Sequence, residues 1–238
     1  MDETCERYAR VMARIEEAAR ASGREPAAVR LVAVSKFHPP EALAELAACG
    51  QRDFGESRAK EGGAKIAALS DSALEWHFLG PLQRNKARVI AGRFHWLHSL
   101  ENLQTADALS RQLAASNARL RVLIEVNVTA DPRKHGVAPA DLFPFLEAYG
   151  AHPRMGLDLV GLMAMAPHGG SEGVVRKAFA RLRELAGASR QAFDLPGFNE
   201  LSMGMSDDYP WAIAEGATII RVGRALFGER APAAAQAP

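Results

Sequence analysis

Tyr8, Val11, Met12, Ile15 and the Ala18/Ala19 pair recur at helical spacing with Glu and Arg on the other face, so the pattern opens with a long amphipathic helix ending near Gly23. Beyond it the period changes. Short apolar or β-branched runs at 31–35, 53–56, 76–80, 95–99, 121–127, 157–164, 199–204 and 218–223 make eight strand candidates. Helical patterns fill the gaps at 40–49, 57–69, 82–91, 102–117, 139–149, 172–190 and 207–215, and a short turn closes the series around 224–228. Strict alternation implies parallel strands joined by right-handed crossovers. Several strand runs are almost continuously apolar, as a sheet covered on both faces requires. Eight such units after a leading helix predict an α/β fold, a single (β/α)8 TIM-type barrel with an extra N-terminal helix. An open doubly wound sheet is the alternative, but no GxGxxG turn follows the first strand.

Length changes this picture little. The 238 residues fit one barrel, and no linker-like stretch divides them, so a single domain is expected over 1–230 with a disordered tail at 231–238, where APAAAQAP offers nothing large to bury. With 29 basic against 28 acidic side chains and a net charge of +1, neither nucleic acid nor an anionic membrane is an expected partner. The N-terminal segment is charged and amphipathic, and no window approaches a membrane span. Cys5 and Cys49 stand far apart in helical segments without CxxC spacing, which reads most simply as a reducing compartment. Cytoplasmic location is the resulting expectation.

In a (β/α) barrel, functional groups gather at the C-terminal ends of the strands. Lys36 closes LVAVSK directly before Phe37-His38-Pro39-Pro40. A lysine there is either a solvated strand end or an amine projecting into the barrel mouth, where partial desolvation favours the neutral form that attacks an aldehyde. In LSMGMSDD at 201–208, Ser206 is a natural N-cap with Asp207 and Asp208 in the first helical turn. The same glycine-rich turn could hold an anion, because it follows strand seven. IIRVGRALFG at 219–228 carries strand eight into Gly223 and Arg224, and phosphate sites in this fold are often built from the loops after strands seven and eight. Arg221 lies inside the last strand pattern, where burial needs a partner. A lysine, a phosphate cup and an arginine for a ring nitrogen together suit pyridoxal 5′-phosphate, PLP.

His95 and His98 form an HxxH spacing, but on a strand they point to opposite faces, so no metal is expected. His77 reads as a hydrogen-bonded structural histidine, although it is a candidate for lining the mouth. PLQRNKAR at 81–88 reads as a solvated helix face.

The segments VAVSK (32–36), FGES (54–57), WHFLGPLQRNK (76–86), EVNV and KHG within 125–136, GLMAMAP (161–167) and LSMGMSDDYPWAIAEGATIIRVGRALFG (201–228) resemble the PLP-binding, PLP homeostasis protein family. That family is similar in turn to the barrel domain of alanine racemase, the fold type III PLP enzymes. The resemblance implies that Lys36 is the Schiff-base lysine, that Ser206, Gly223 and Arg224 form the phosphate cup, and that Arg221 meets the ring nitrogen. Gly55-Glu56-Ser57 departs from the family's usual Gly-Glu-Asn, and Phe37 stands where threonine is frequent. The racemases complete their site with a second domain, a partner subunit and a catalytic tyrosine, and this chain ends shortly after strand eight. The resemblance therefore implies a monomeric carrier that buffers PLP and delivers it to PLP-dependent apoenzymes. A fold type III racemase is the alternative, and a Schiff-base aldolase with a bare lysine is a third reading.

Overall fold

The structure is a computed structural model that describes residues 3–69, 71, 73–129, 131 and 133–228. Helix α1 (Glu3–Ala21) leads into β1 (Arg30–Val34), α2 (Pro40–Ala48), β2 (Asp53–Glu56), α3 (Ala59–Ala68) and β3 (Glu75–Phe78). There follow α4 (Ala87–Ile90), β4 (Trp96–Leu100), α5 (Leu103–Ser116), β5 (Leu120–Glu125), α6 (Leu142–Gly150) and β6 (Leu157–Met163). The chain ends through α7 (Glu172–Ala192), β7 (Glu200–Ser202), α8 (Tyr209–Ala214), β8 (Ile219–Val222) and α9 (Arg224–Phe227). Strands β1 to β8 pair in sequence order, all parallel, and β8 returns to β1 with Arg30 opposite Ile219 and Ala33 opposite Val222. The closed barrel is the expected (β/α)8 fold with its extra N-terminal helix. The tail expected at 231–238 lies outside the described residues.

The near-continuous apolar runs reflect two separate cores. Successive strand residues point to opposite faces. On β1, Leu31 and Ala33 pack outward in the core shared with Leu43 and Leu46 of α2 and Phe179 and Leu182 of α7, while Val32 points inward. Val32, Trp96, Leu123, Met163 and Ile219 form the smaller core inside the barrel. The period of two then carries His98 and Arg221 inward behind Trp96 and Ile219. Each strand is thus buried on both sides.

The N-terminal end of the barrel is closed by charge. Arg30 donates to Asp53 Oδ1 at 2.7 Å, and the Arg30 and Arg121 guanidinium groups stand 5.3 and 4.9 Å from the Trp96 ring. Trp96 Nε1 donates to Glu75 Oε2 at 3.1 Å.

Two local expectations are corrected. The 82–91 helix resolves into a 3-10 turn at Arg84–Lys86 and the short α4. More consequentially, Cys5 and Cys49 are joined by a disulfide, with their Cα atoms 5.3 Å apart. Their 44-residue separation concealed the packing of α1 beside α2, which brings them together, so the expectation of two unpaired cysteines, and the reducing compartment read from it, does not hold. Among the described residues, no helix is long and apolar enough to cross a membrane.

Candidate cofactor site at the barrel mouth

Lys36 projects from a tightly held turn. The preceding Ser35 is fully buried; its N–H donates to Gly55 O at 3.0 Å and its hydroxyl to Glu56 Oε1 at 2.7 Å. Its carbonyl oxygen accepts from Lys65 Nζ at 2.7 Å and from His38 N at 3.0 Å. Phe37, just after the lysine, has φ 71°, a left-handed conformation that costs a non-glycine residue about 1–2 kcal/mol. Two contacts hold it there: its N–H donates to Glu61 Oε1 at 2.6 Å, and the Arg58 guanidinium stacks over its ring at 4.4 Å. Ser35 and Phe37 are thus pinned on either side of Lys36.

After β7 the chain turns sharply at Gly204, whose φ of 93° and position 2.6 Å from Ala212 Cβ, measured from where a Cβ would stand, leave no room for a side chain. Ser206 is not the helix cap that the sequence suggests. Asp208 occupies that position, and its Oδ1 accepts from Met205 N at 2.6 Å, which closes a turn before α8 begins at Tyr209. Ser206 is left in the turn, its hydroxyl and N–H uncommitted to capping. Across from it, the N–H groups of Gly223, Arg224 and Ala225 have no hydrogen-bond partner among the described residues. Arg224 Nη2 donates to Asp207 Oδ2 at 2.8 Å, tying the two loops together at the surface.

Arg221 is only 6% exposed. Nη1 donates to Ser202 Oγ at 2.6 Å and Nη2 to Ala164 O at 3.1 Å, two of its five donors. Burial lowers its pKa to about 10, against the pull of Glu125 and Asp208, so it is a cation at neutral pH. Glu125, 4% exposed at the end of β5, is pushed up to about 7 by burial and then by the Glu101 carboxylate.

Lys36, Ser206, Arg221, Gly223 and Arg224 all line one cavity of about 240 Å³ at the C-terminal ends of β1 and β8 and the loop after β7. His38, His168 and Met205 line it as well. The sequence reading did not single out the two histidines for the site; His38 sits two residues beyond Lys36, which was the available signal, and its ring stacks on Phe227 at 4.5 Å. Ser57 lies in a different cleft, with Arg58, Lys60 and Lys86. His77 does not reach the mouth: it is fully buried and bonded to Asp53 and His98. His95 and His98 part company, His95 Nδ1 accepting from Trp76 N at 2.9 Å while His98 turns into the barrel. None of the three tyrosines lines the cavity, and Tyr209 is buried in the outer core.

Residues 8–231 match the family model described as alanine racemase, N-terminal domain. The Pseudomonas aeruginosa protein named pyridoxal phosphate homeostasis protein is 48% identical over 231 residues, with 97% of each chain covered. The chain belongs to the pyridoxal phosphate homeostasis protein family. The pyridoxal phosphate homeostasis protein of Escherichia coli K12 is 40% identical over 233 residues, covering 97% of this chain and 98% of that one. Among solved structures, PipY of Synechococcus elongatus with PLP bound matches at a TM-score of 0.79 and 39% identity, over 90% of this chain and 100% of that one. Alanine racemase from Corynebacterium glutamicum matches at a TM-score of 0.68 over 95% of this chain and 62% of that one; at 16% identity the likeness is one of fold.

Proposed function

We propose that the chain binds PLP in this cavity, attached through Lys36, and acts in PLP homeostasis as a cytoplasmic carrier that passes the cofactor to PLP-dependent apoenzymes. The carrying observation is the convergence of Lys36, Ser206, Gly223, Arg224 and Arg221 on one cavity. The donor set fits the group. Its phosphate dianion matches backbone N–H groups without partners beside the Ser206 hydroxyl and the Arg224 cation. Its ring nitrogen, an acceptor, matches a buried guanidinium with donors to spare.

When bound, PLP supplies a reactive aldehyde and an electron-withdrawing ring. The chain's own residues hold and orient. Ser35 and Phe37 fix the turn from which the Lys36 amine reaches the aldehyde. Arg221 offers the ring nitrogen a hydrogen bond without releasing a proton to it, because its pKa of about 10 lies far above that of a pyridine. An unprotonated ring is a weak electron sink, which suits storage better than turnover.

The racemase reading keeps one observation in its favour: His38 and His168 line the cavity and can exchange protons. Assay of the purified protein with PLP and a panel of L-amino acids separates the two. The carrier reading predicts a visible band lost in Lys36→Ala and no interconversion of enantiomers above background. Steady racemisation abolished by His168→Ala would establish the enzyme instead.

A further inference from the structure

A file of buried polar groups runs through the inner core from Arg221 to the charged end of the barrel. Arg221 Nη1 meets Ser202 Oγ at 2.6 Å, Ser202 Oγ meets His98 Nδ1 at 2.8 Å, His98 Nε2 meets His77 Nδ1 at 2.9 Å, and His77 Nε2 meets Asp53 Oδ1 at 2.9 Å. Ser202, His98 and His77 are each 0% exposed. Ser202, His98, His77 and Asp53 come from β7, β4, β3 and β2 and Arg221 from β8, so only barrel closure assembles them.

The direction of every hydrogen bond in the file is determined. A guanidinium can only donate, and an ionised Asp53, whose pKa is lowered by His77 and Arg30 against the effect of burial, can only accept. Burial lowers the pKa of both histidines, so each ring is neutral and has one N–H. Starting from Asp53, His77 must donate from Nε2, which leaves Nδ1 to accept from His98 Nε2–H. His98 Nδ1 then accepts from the Ser202 hydroxyl, and Ser202 turns a lone pair to Arg221. Starting from Arg221 gives the same assignment. The aligned N–H and O–H dipoles place their negative ends toward the cation and their positive ends toward the carboxylate. Arg221 therefore faces Asp53 through three neutral side chains, while its two direct partners, Ser202 Oγ and Ala164 O, are neutral oxygens.

We propose that Asp53, His77, His98 and Ser202 are positioning residues for Arg221, a one-directional hydrogen-bond file that orients the guanidinium and compensates its buried charge so that its remaining donors face the cofactor ring. This rests on the reading that Arg221 meets the PLP ring nitrogen. The file holds no proton of its own to give: every hydrogen in it is already committed toward Asp53. It thereby keeps Arg221 a donor to the ring that does not protonate it.

The test uses full-length protein labelled with 15N-histidine. Two-bond nitrogen–proton spectra, with and without PLP, are expected to show both rings neutral and protonated at Nε2 from pH 7 to pH 9. An Nδ1–H tautomer or an imidazolium at either ring overturns the file, and this measurement needs no variant. Ser202→Ala then removes the link to Arg221. Retained folding by circular dichroism, a displaced absorption maximum for the Lys36-bound cofactor and a roughly tenfold higher PLP Kd are expected. An unchanged maximum and Kd in the folded variant overturn the positioning role. If wild type shows no PLP band that Lys36→Ala lacks, the cofactor reading has failed, whereas the tautomers still decide whether the file exists.

Discussion

Lys65 is paired with Glu56 inside the protein: Nζ lies 2.6 Å from Glu56 Oε1, with the two side chains 5% and 0% exposed. The same ammonium donates to the Ser35 carbonyl oxygen at 2.7 Å and to Glu61 Oε1 at 2.8 Å, so one buried cation ties β2, α3 and the residue before Lys36. Glu56 Oε2 has no hydrogen-bond partner among the described residues, which concentrates the carboxylate's dependence on this contact and on Ser35.

Replacing Lys65 with Met should therefore cost more than a surface lysine. Removing one member of a buried pair strands the other charge, typically at about 3–5 kcal/mol. Urea unfolding should show that loss, and PLP uptake should slow because the Ser35–Phe37 turn loses two of its anchors. Stability within 1 kcal/mol of wild type would deny the pair this role.

Glu125 makes stability depend on pH. Its folded pKa of about 7 exceeds the ordinary value of 4.5, so the folded state holds the proton more tightly than the unfolded chain. Its contribution is fully present below about pH 4.5 and is lost as pH rises to about 7, by roughly 3 kcal/mol at most. Glu125→Gln should abolish this segment of the stability–pH curve and be the more stable protein at pH 8, as read by unfolding at pH 5, 6, 7 and 8. Parallel curves for the two proteins would contradict the assignment.

Much of this was legible in the sequence because barrel strands, buried on both faces, must alternate with helices, and because Lys36 falls where a strand stops. The convergence of Lys36 with Ser206, Gly223, Arg224 and Arg221 followed from the rule that strand ends share one face. What escaped depended on closure. His98 and Ser202 are 104 residues apart and meet only because β4 and β7 both line the interior. The Cys5–Cys49 link requires α1 to lie beside α2, which no local pattern encodes. Ser206 looked like a cap because the cue is local, whereas Asp208 takes the position by turning back onto Met205 N.

Gly204→Ala tests the turn that presents Ser206. A Cβ there meets Ala212 Cβ at 2.6 Å on a backbone at φ 93°, so the turn must shift. A loss of about 1–3 kcal/mol is expected, together with a weaker PLP Kd. Weaker binding without destabilisation would leave the steric account wrong.

The disulfide should matter to stability and not to the cofactor, since neither Cys5 nor Cys49 lines the cavity. Closing a loop of this length stabilises by about 4 kcal/mol in the chain-entropy account. Dithiothreitol, or the Cys5→Ser variant, should lower Tm by roughly 10 °C while the PLP Kd stays constant. A parallel loss of PLP binding would tie the bridge to the site.

Borohydride reduction of the PLP-treated protein, followed by peptide mass mapping of wild type and Lys36→Ala together, tests the central claim most directly. One phosphopyridoxyl group on the Lys36 peptide of wild type, and none in the variant, is the predicted result. An adduct at another lysine, or no adduct in wild type, would contradict it.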